Sequence, residues 1–86
     1  MEFSDALKHL KRGRRVTRAS WPPGEFLYLV PGSTFEVNRA PLIGILGEGT
    51  KVNYAPHIDK CFGDDVCGYW TPSHADLLSD DWREAV

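Results

Sequence analysis

The stretch FLYLVPGSTFEVN (residues 26–38) holds two extended runs separated by a proline-glycine pair, and the rest of the chain can be arranged around it. Phe26-Leu27-Tyr28-Leu29-Val30 is apolar at every position, whereas a strand with one wet face alternates with period two. Both faces of this strand are therefore expected to be covered. Pro31-Gly32 interrupts it, since proline cannot donate to a ladder. Ser33 to Asn38 then resumes as a second strand with Phe35 and Val37 on one face.

Toward the C-terminus a second apolar run, Pro41 to Leu46, ends at the turn Gly47-Glu48-Gly49. Lys51 to Ile58 and Cys67 to Trp70 complete an antiparallel sheet, with Gly63-Asp64-Asp65 as a hairpin turn that sets Cys61 opposite Cys67. Ser73-His74-Ala75-Asp76 reads as a capping box for a short helix carrying Leu77 and Leu78, and Trp82 as a plug against the sheet. Toward the N-terminus, Ser20 to Gly24 is a turn, because consecutive prolines suit neither helix nor sheet interior. Arg14 to Arg18 reads as a short strand with a basic side. Phe3, Ala6, Leu7 and Leu10 recur at helical spacing, with Ser4 as cap and Gly13 as a left-handed stop. The class is α+β: a small antiparallel sheet with an N-terminal helix and a short C-terminal helix, in a single domain spanning residues 1–86.

A chain of 86 residues buries only about 60% of its unfolded surface, so its stability is marginal without a staple or a partner. Ile43, Ile45, Leu46 and the two-faced strand carry more apolar surface than one short sheet and two helices can cover. A homo-oligomer would bury the remainder. No apolar run approaches the length of a membrane span, and the first residues have no signal-peptide pattern, so a cytosolic protein is expected. The net charge is −2, distributed unevenly. Residues 1–18 hold six basic and two acidic residues; residues 19–86 hold four basic and ten acidic ones. The basic cluster can draw a phosphate, while the acidic whole argues against wrapping long nucleic acid.

No catalytic constellation is visible. The histidines and serines form no triad or nucleophile elbow. Combining His57, Cys61, Cys67 and His74 gives H-x3-C-x5-C-x6-H, which matches no usual zinc spacing. Neither a metal nor a cofactor is expected. Asp64-Asp65 and Asp80-Asp81 read as solvated turn charges, because adjacent strand residues point to opposite faces. What remains is aromatic side chains with polar neighbours near turns: Trp21, Tyr28, Phe35, Tyr54, Tyr69 and Trp70, beside Ser33, Thr34, Asn38, Arg39, Asn53 and His57. Bases stack on such faces, and arginine makes charge-assisted contacts to phosphate. Phe26, Phe35 and Trp82 are expected in the core. Trp21, in a Ser-Trp-Pro-Pro turn, is open to either a core or a binding role.

Three blocks carry a resemblance: F-x-x-A-L-x-x-L-K-x-G-x-x-V-x-R-x-x-W (residues 3–21), V-P-G-S-T-F-x-V-N-R-x-P-L (30–42) and N-Y-x-P-H-I-D (53–59), closed by Trp70, Ser73, Asp76, Leu78 and Asp81-Trp82. On these the whole chain resembles the Thoeris anti-defence family, second type, a group of small phage proteins. The resemblance implies a homotetrameric sponge, acting in the cytoplasm of the infected bacterium. It would trap intact a cyclic ADP-ribose-type signal made by a bacterial TIR enzyme. A separate site for cyclic di- or trinucleotides is implied for some members. Carried onto matched positions, Trp21 would stack the adenine, Arg39 with Ser33 and Thr34 would hold phosphates, and Asn38 and Asp76 would hold ribose hydroxyls. Tyr28 and Tyr54 are further candidates, and Arg14, Arg15 and Arg18 form a candidate second phosphate site. Pro22-Pro23-Gly24-Glu25 and the Cys61–Cys67 hairpin depart from the family pattern and bear on ligand choice.

A Kd near ~100 nM requires about −9.5 kcal/mol. One stacked base and one arginine supply only about 2.5–6 kcal/mol before the cost of association. Several subunits must then enclose the ligand. A sponge for cyclic oligonucleotides, a protein that inhibits a defence enzyme by direct contact, and a nucleotide hydrolase are the competing classes. The last has no visible nucleophile, base or metal cluster to support it.

Overall fold

The computed structural model describes residues 1–86 and divides the chain into a body and an arm. The body is a five-stranded antiparallel sheet in the order β6-β5-β2-β1-β7. Its strands are β1 (Val16–Arg18), β2 (Glu25–Val30), β5 (His57–Phe62), β6 (Val66–Cys67) and β7 (Trp82–Glu84). Helices α1 (Phe3–Lys11) and α3 (His74–Leu78) flank it. The arm is the two-stranded sheet of β3 (Ser33–Glu36) and β4 (Lys51–Tyr54), joined through the one-turn helix α2 (Ile43–Leu46).

The core lies where α1 crosses the sheet. Ala6 and Leu10 of α1 meet Val16, Leu27 and Trp82, all five essentially solvent-free, with Phe3, Leu7, Trp21, Leu29, Ile58 and Trp70 packed around them. Period-two alternation puts Leu27 and Leu29 toward the helix, so Phe26, Tyr28 and Val30 share the opposite face. No element covers that face: every contact between elements across the sheet involves α1 on the core side. Phe26, Tyr28 and Val30 are half-buried, Phe26 in part beneath the Arg15 guanidinium. The expectation that both faces of this strand are covered is therefore met on one side only.

Several local expectations are corrected. Glu2, not Ser4, is the N-cap of α1, and it caps without a side-chain hydrogen bond. Gly13 does take the left-handed conformation, at φ 81°. Lys51–Ile58 is not one strand: Ala55-Pro56 separates β4 of the arm from β5 of the body. Register pairs Cys61 with Val66 and Lys60 with Cys67, which places the two thiols on opposite faces rather than opposite each other. Of the three aromatics expected in the core, only Trp82 is there. Phe26 lies on the uncovered face and Phe35 is 37% exposed in the arm. Trp82 is itself a strand residue rather than a plug laid over the sheet.

The arm carries its own small interior. Val37 is buried, its amide donating to the Thr50 carbonyl and its carbonyl accepting from Gly49. Phe35 and Tyr54 meet edge to face at 5.5 Å. None of β3, α2 or β4 packs against an element of the body, and the molecule measures 46 × 25 × 24 Å. Ile43, Ile45 and Leu46 are exposed on it, Ile45 by 72%. A two-stranded hairpin alone is marginally stable, so the arm is the low-stability part of the fold.

Gly32 closes the base of the arm. A Cβ there would sit 2.6 Å from the Tyr54 carbonyl oxygen and 3.1 Å from Pro56 Cδ. Overpacking against backbone costs about 1–3 kcal/mol. Gly32→Ala is thus expected to speed hydrogen exchange of β3 and β4 amides by roughly 5- to 150-fold, leaving β2 and β5 amides at wild-type rates. Equal acceleration in both sheets would mean that arm and body unfold as one unit.

Candidate functional site

Trp21 follows β1 in a tight turn, with its amide donating to the Arg18 carbonyl and the Glu25 amide to that of Pro22. The turn folds the indole back onto the core side of the sheet. Its centroid lies 5.3 Å from Trp82 and 6.3 Å from Trp70, both near-perpendicular. Phe3 extends the cluster, 5.2 Å from Trp82 and 6.0 Å from Trp70. Lys60 Nζ stands over the Trp21 ring at 3.6 Å and over Phe62 at 4.6 Å, and pairs with Glu25 at 3.2 Å. Trp21 therefore belongs to a packed aromatic cluster as well as to a surface turn.

Beside that turn lies the largest cavity, about 530 Å³, bounded by Trp21, Pro22, Pro23, Gly24, Phe26 and Arg83 among others. The Arg15 guanidinium covers the Phe26 ring at 4.8 Å. Thr17 and Arg83 are cross-strand partners, so they share the uncovered face with Phe26 and Tyr28. No carboxylate lies within ion-pair distance of Arg15 or Arg83, whereas Arg14 reaches Glu84 at 3.9 Å.

Arg18 is committed elsewhere. Its Nη1 donates to Asp76 Oδ1 at 2.9 Å, its Nε to Asp81 Oδ1 at 2.8 Å, and Nη2 to the Ser79 hydroxyl. Its side chain is 13% exposed. Asp76 also completes the expected capping box of α3, accepting from the Ser73 amide while the Ser73 hydroxyl accepts from the Asp76 amide. Burial alone would raise the Asp76 carboxyl, but the Ser73 amide and Arg18 outweigh it and hold the carboxyl below the ordinary range. The Arg18 hydrogen bonds lower Asp81 in the same sense. With both carboxylate oxygens of Asp76 engaged, its acceptors face protein rather than solvent.

Tyr28 stands on the uncovered face, cross-strand from Asp59. Burial and then the nearby Asp59 carboxylate raise its phenol. Asp59 Oδ1 accepts from the Tyr69 amide at 3.0 Å and faces His57 Nε2 at 3.2 Å, while Tyr69 stacks on His57 at 4.5 Å. Tyr69 holds the left-handed φ of 58°, unusual for an aromatic residue.

The remaining candidates are in the arm. Ser33 and Thr34 open β3, as expected of a strand beginning at Ser33, and pair with Tyr54 and Asn53. As neighbours on β3 they point to opposite faces, so they do not form one phosphate-holding corner. The Thr34 hydroxyl donates to Asn53 Oδ1. Asn38 and Arg39 border a cavity of about 290 Å³ with Phe35, Val37, Pro41 and Leu42. Arg39 has no carboxylate within ion-pair distance.

The candidates thus lie in three places: Trp21, Arg18 and Asp76 on the core side, Tyr28 and Arg15 on the uncovered face, and Ser33, Thr34, Asn38, Arg39 and Tyr54 in the arm. Lys60 and Arg83 join them only through the sheet. Their links are long-range, Lys60 to Trp21 and Arg83 to Thr17, and no local pattern in the sequence announces either one.

No helix is long and apolar enough to cross a membrane. No group of metal-binding side chains converges anywhere in the chain. Together these features define a small α+β domain whose free cations and exposed aromatics border clefts on a body and an arm. A family model for the Tad2-like domain, described as Thoeris anti-defense 2-like, matches residues 1–85, and the chain belongs to that family. Membership implies a role in countering the Thoeris defence. No curated protein matches the chain.

Proposed function

We propose that the protein is a phage anti-defence sponge that binds a glycocyclic ADP-ribose-type signal without cleaving it, in the cytoplasm of the infected bacterium. The observation that carries this reading is the family match over residues 1–85. In this reading Trp21 is the adenine platform and Arg39 the phosphate ligand, with Asn38 hydrogen-bonding ribose. Since the arm touches no element of the body, the two halves of such a site do not meet within one protomer. A ligand held by both requires a second copy whose arm reaches the Trp21 cleft. A homotetramer would supply that enclosure and cover Ile43, Ile45 and the uncovered sheet face. Asp76 acts in this arrangement as the support of α3, its acceptors already taken. Any second phosphate site would use Arg15 with Arg83 rather than Arg14 and Arg18.

The test is calorimetric titration with glycocyclic ADP-ribose isomers and cyclic dinucleotides, followed by heating and recovery of the ligand. Sub-micromolar binding and intact ligand are expected. Recovery of an altered ligand would indicate a hydrolase, and no heat with any nucleotide would favour a direct protein inhibitor. Arg39→Ala removes a charge-assisted contact worth about 1.5–3 kcal/mol, so affinity should fall by roughly 10- to 150-fold. Arg14→Ala, which loosens only an exposed pair at 3.9 Å, should leave it within about twofold.

A further inference from the structure

Lys60 holds an unusual position for a lysine. Its Nζ sits 3.6 Å from the centre of the Trp21 ring, with Phe62 at 4.6 Å and a Glu25 carboxylate oxygen at 3.2 Å. The side chain is only 11% exposed. Trp21, Phe62 and Glu25 thus form a cage of the type that recognises a cationic ligand, and the chain's own ammonium fills it. The other neighbours of Trp21 are Trp70 and Trp82, fixed members of the core-side cluster. Lysine alone among these neighbours has a long flexible stem and can leave without opening the core.

We propose that Lys60 is a displaceable latch on Trp21, which makes that ring selective for ligands that are both aromatic and anionic. This rests on the reading of Trp21 as a base platform. In the empty protein the ammonium covers the ring and is held there by Glu25. A base that takes the ring face must evict the ammonium. A neutral nucleoside offers nothing in exchange. A nucleotide offers phosphate oxygens, which compete with Glu25 for the ammonium and keep it paired after it swings off the ring. Lys60 then contributes to discrimination by ligand charge, a role distinct from that of Arg39 in the arm.

The two ligand classes should respond with opposite sign when the charge is removed. Wild type, Lys60→Met, Lys60→Arg and Trp21→Ala are titrated calorimetrically with glycocyclic ADP-ribose and with adenosine, after circular dichroism has confirmed equal folding. Lys60→Met is expected to bind the cyclic nucleotide at least 10-fold more weakly and adenosine several-fold more tightly than wild type. Its nucleotide affinity should also depend less steeply on salt. Lys60→Arg should stay within about threefold of wild type for the nucleotide, because it keeps the charge. A Lys60→Met protein that binds both ligands as wild type does, or loses both equally, overturns the latch. If that happens while Trp21→Ala abolishes nucleotide binding, the platform reading survives and only the latch is lost. Full nucleotide affinity in Trp21→Ala, or no binding of nucleotide by wild type, removes the platform and the latch together.

Discussion

Arg18→Ala is expected to lower the unfolding free energy by about 2–4 kcal/mol, below the 3–5 kcal/mol typical of a fully buried pair because Asp81 remains partly in water. The guanidinium bridges Asp76, Asp81 and Ser79 at once. Its loss leaves two carboxylates near each other without a cation and unties α3 from β1. In a domain of this size that corresponds to a melting temperature about 8–32 °C lower. The measurement is a chemical denaturation curve for wild type, Arg18→Ala and Arg18→Lys, with the lysine variant recovering only part of the loss. Were Arg18 instead a free phosphate ligand, the alanine variant would bind nucleotide poorly and unfold like wild type.

The same network sets a pH dependence. Asp76 and Asp81 have lower pKa values folded than unfolded, where a carboxyl titrates near ~3.9. The unfolded chain therefore binds more protons below about pH 5, and stability rises with pH there. The contribution of the pair is complete above the unfolded value and disappears as pH falls through the folded ones. Arg18→Ala should show a flatter acid limb, and the stability gap between variant and wild type should narrow between pH 7 and pH 3. A gap that stays constant over that range would mean that the carboxylates are not held by Arg18.

Trp82→Ala is expected to cost about 3–5 kcal/mol, the range for removing a large buried aromatic side chain. Trp82 is 1% exposed and contacts Phe3, Trp21 and Trp70 within its aromatic cluster. Its indole Nε1 also donates to the Asp76 carbonyl at 2.8 Å, joining β7 to α3 from the inside. Small domains hold only about 5–15 kcal/mol in all, so the variant should lose a large fraction of its stability, read as a markedly lower midpoint of chemical denaturation followed by circular dichroism. Trp82→Phe keeps most of the volume but leaves that carbonyl unsatisfied, at about 1–3 kcal/mol. Trp21→Ala, by contrast, removes a side chain at the rim of the cluster and should be milder. That difference lets Trp21 be tested for binding in a protein that still folds.

Local patterns in the chain were sufficient for the elements whose determinants are close in sequence. Phe3, Ala6, Leu7 and Leu10 define one helix face without help from elsewhere. Ser73 and Asp76 satisfy each other's backbone across three residues, so the α3 cap is also readable directly. The strand at 26–30 and its break at Pro31-Gly32 follow from composition and from proline's missing donor. The family-matching blocks are local in the same sense.

What could not be read this way depends on register and long-range pairing. Ser33 and Thr34 read as strand residues, but their pairing with Tyr54 and Asn53, about twenty positions away, does not follow from any local pattern. Cys61 and Cys67 lie on opposite faces because the hairpin register differs by one residue from the expected one, and one residue turns a side chain to the other face. Arg18 looks like part of a basic cluster until the fold brings Asp76 and Asp81 to it across some sixty positions. The amino-acid sequence alone establishes the class, helices α1 and α3, the main strand and the family, since each rests on short-range periodicity or on motif residues. The one-turn helix α2, within the apolar run 41–46, is not among them. Which cations are free, which face of the sheet is bare, and where Lys60 sits are settled by tertiary pairing, because charge neutralisation and burial depend on neighbours that chain order does not specify.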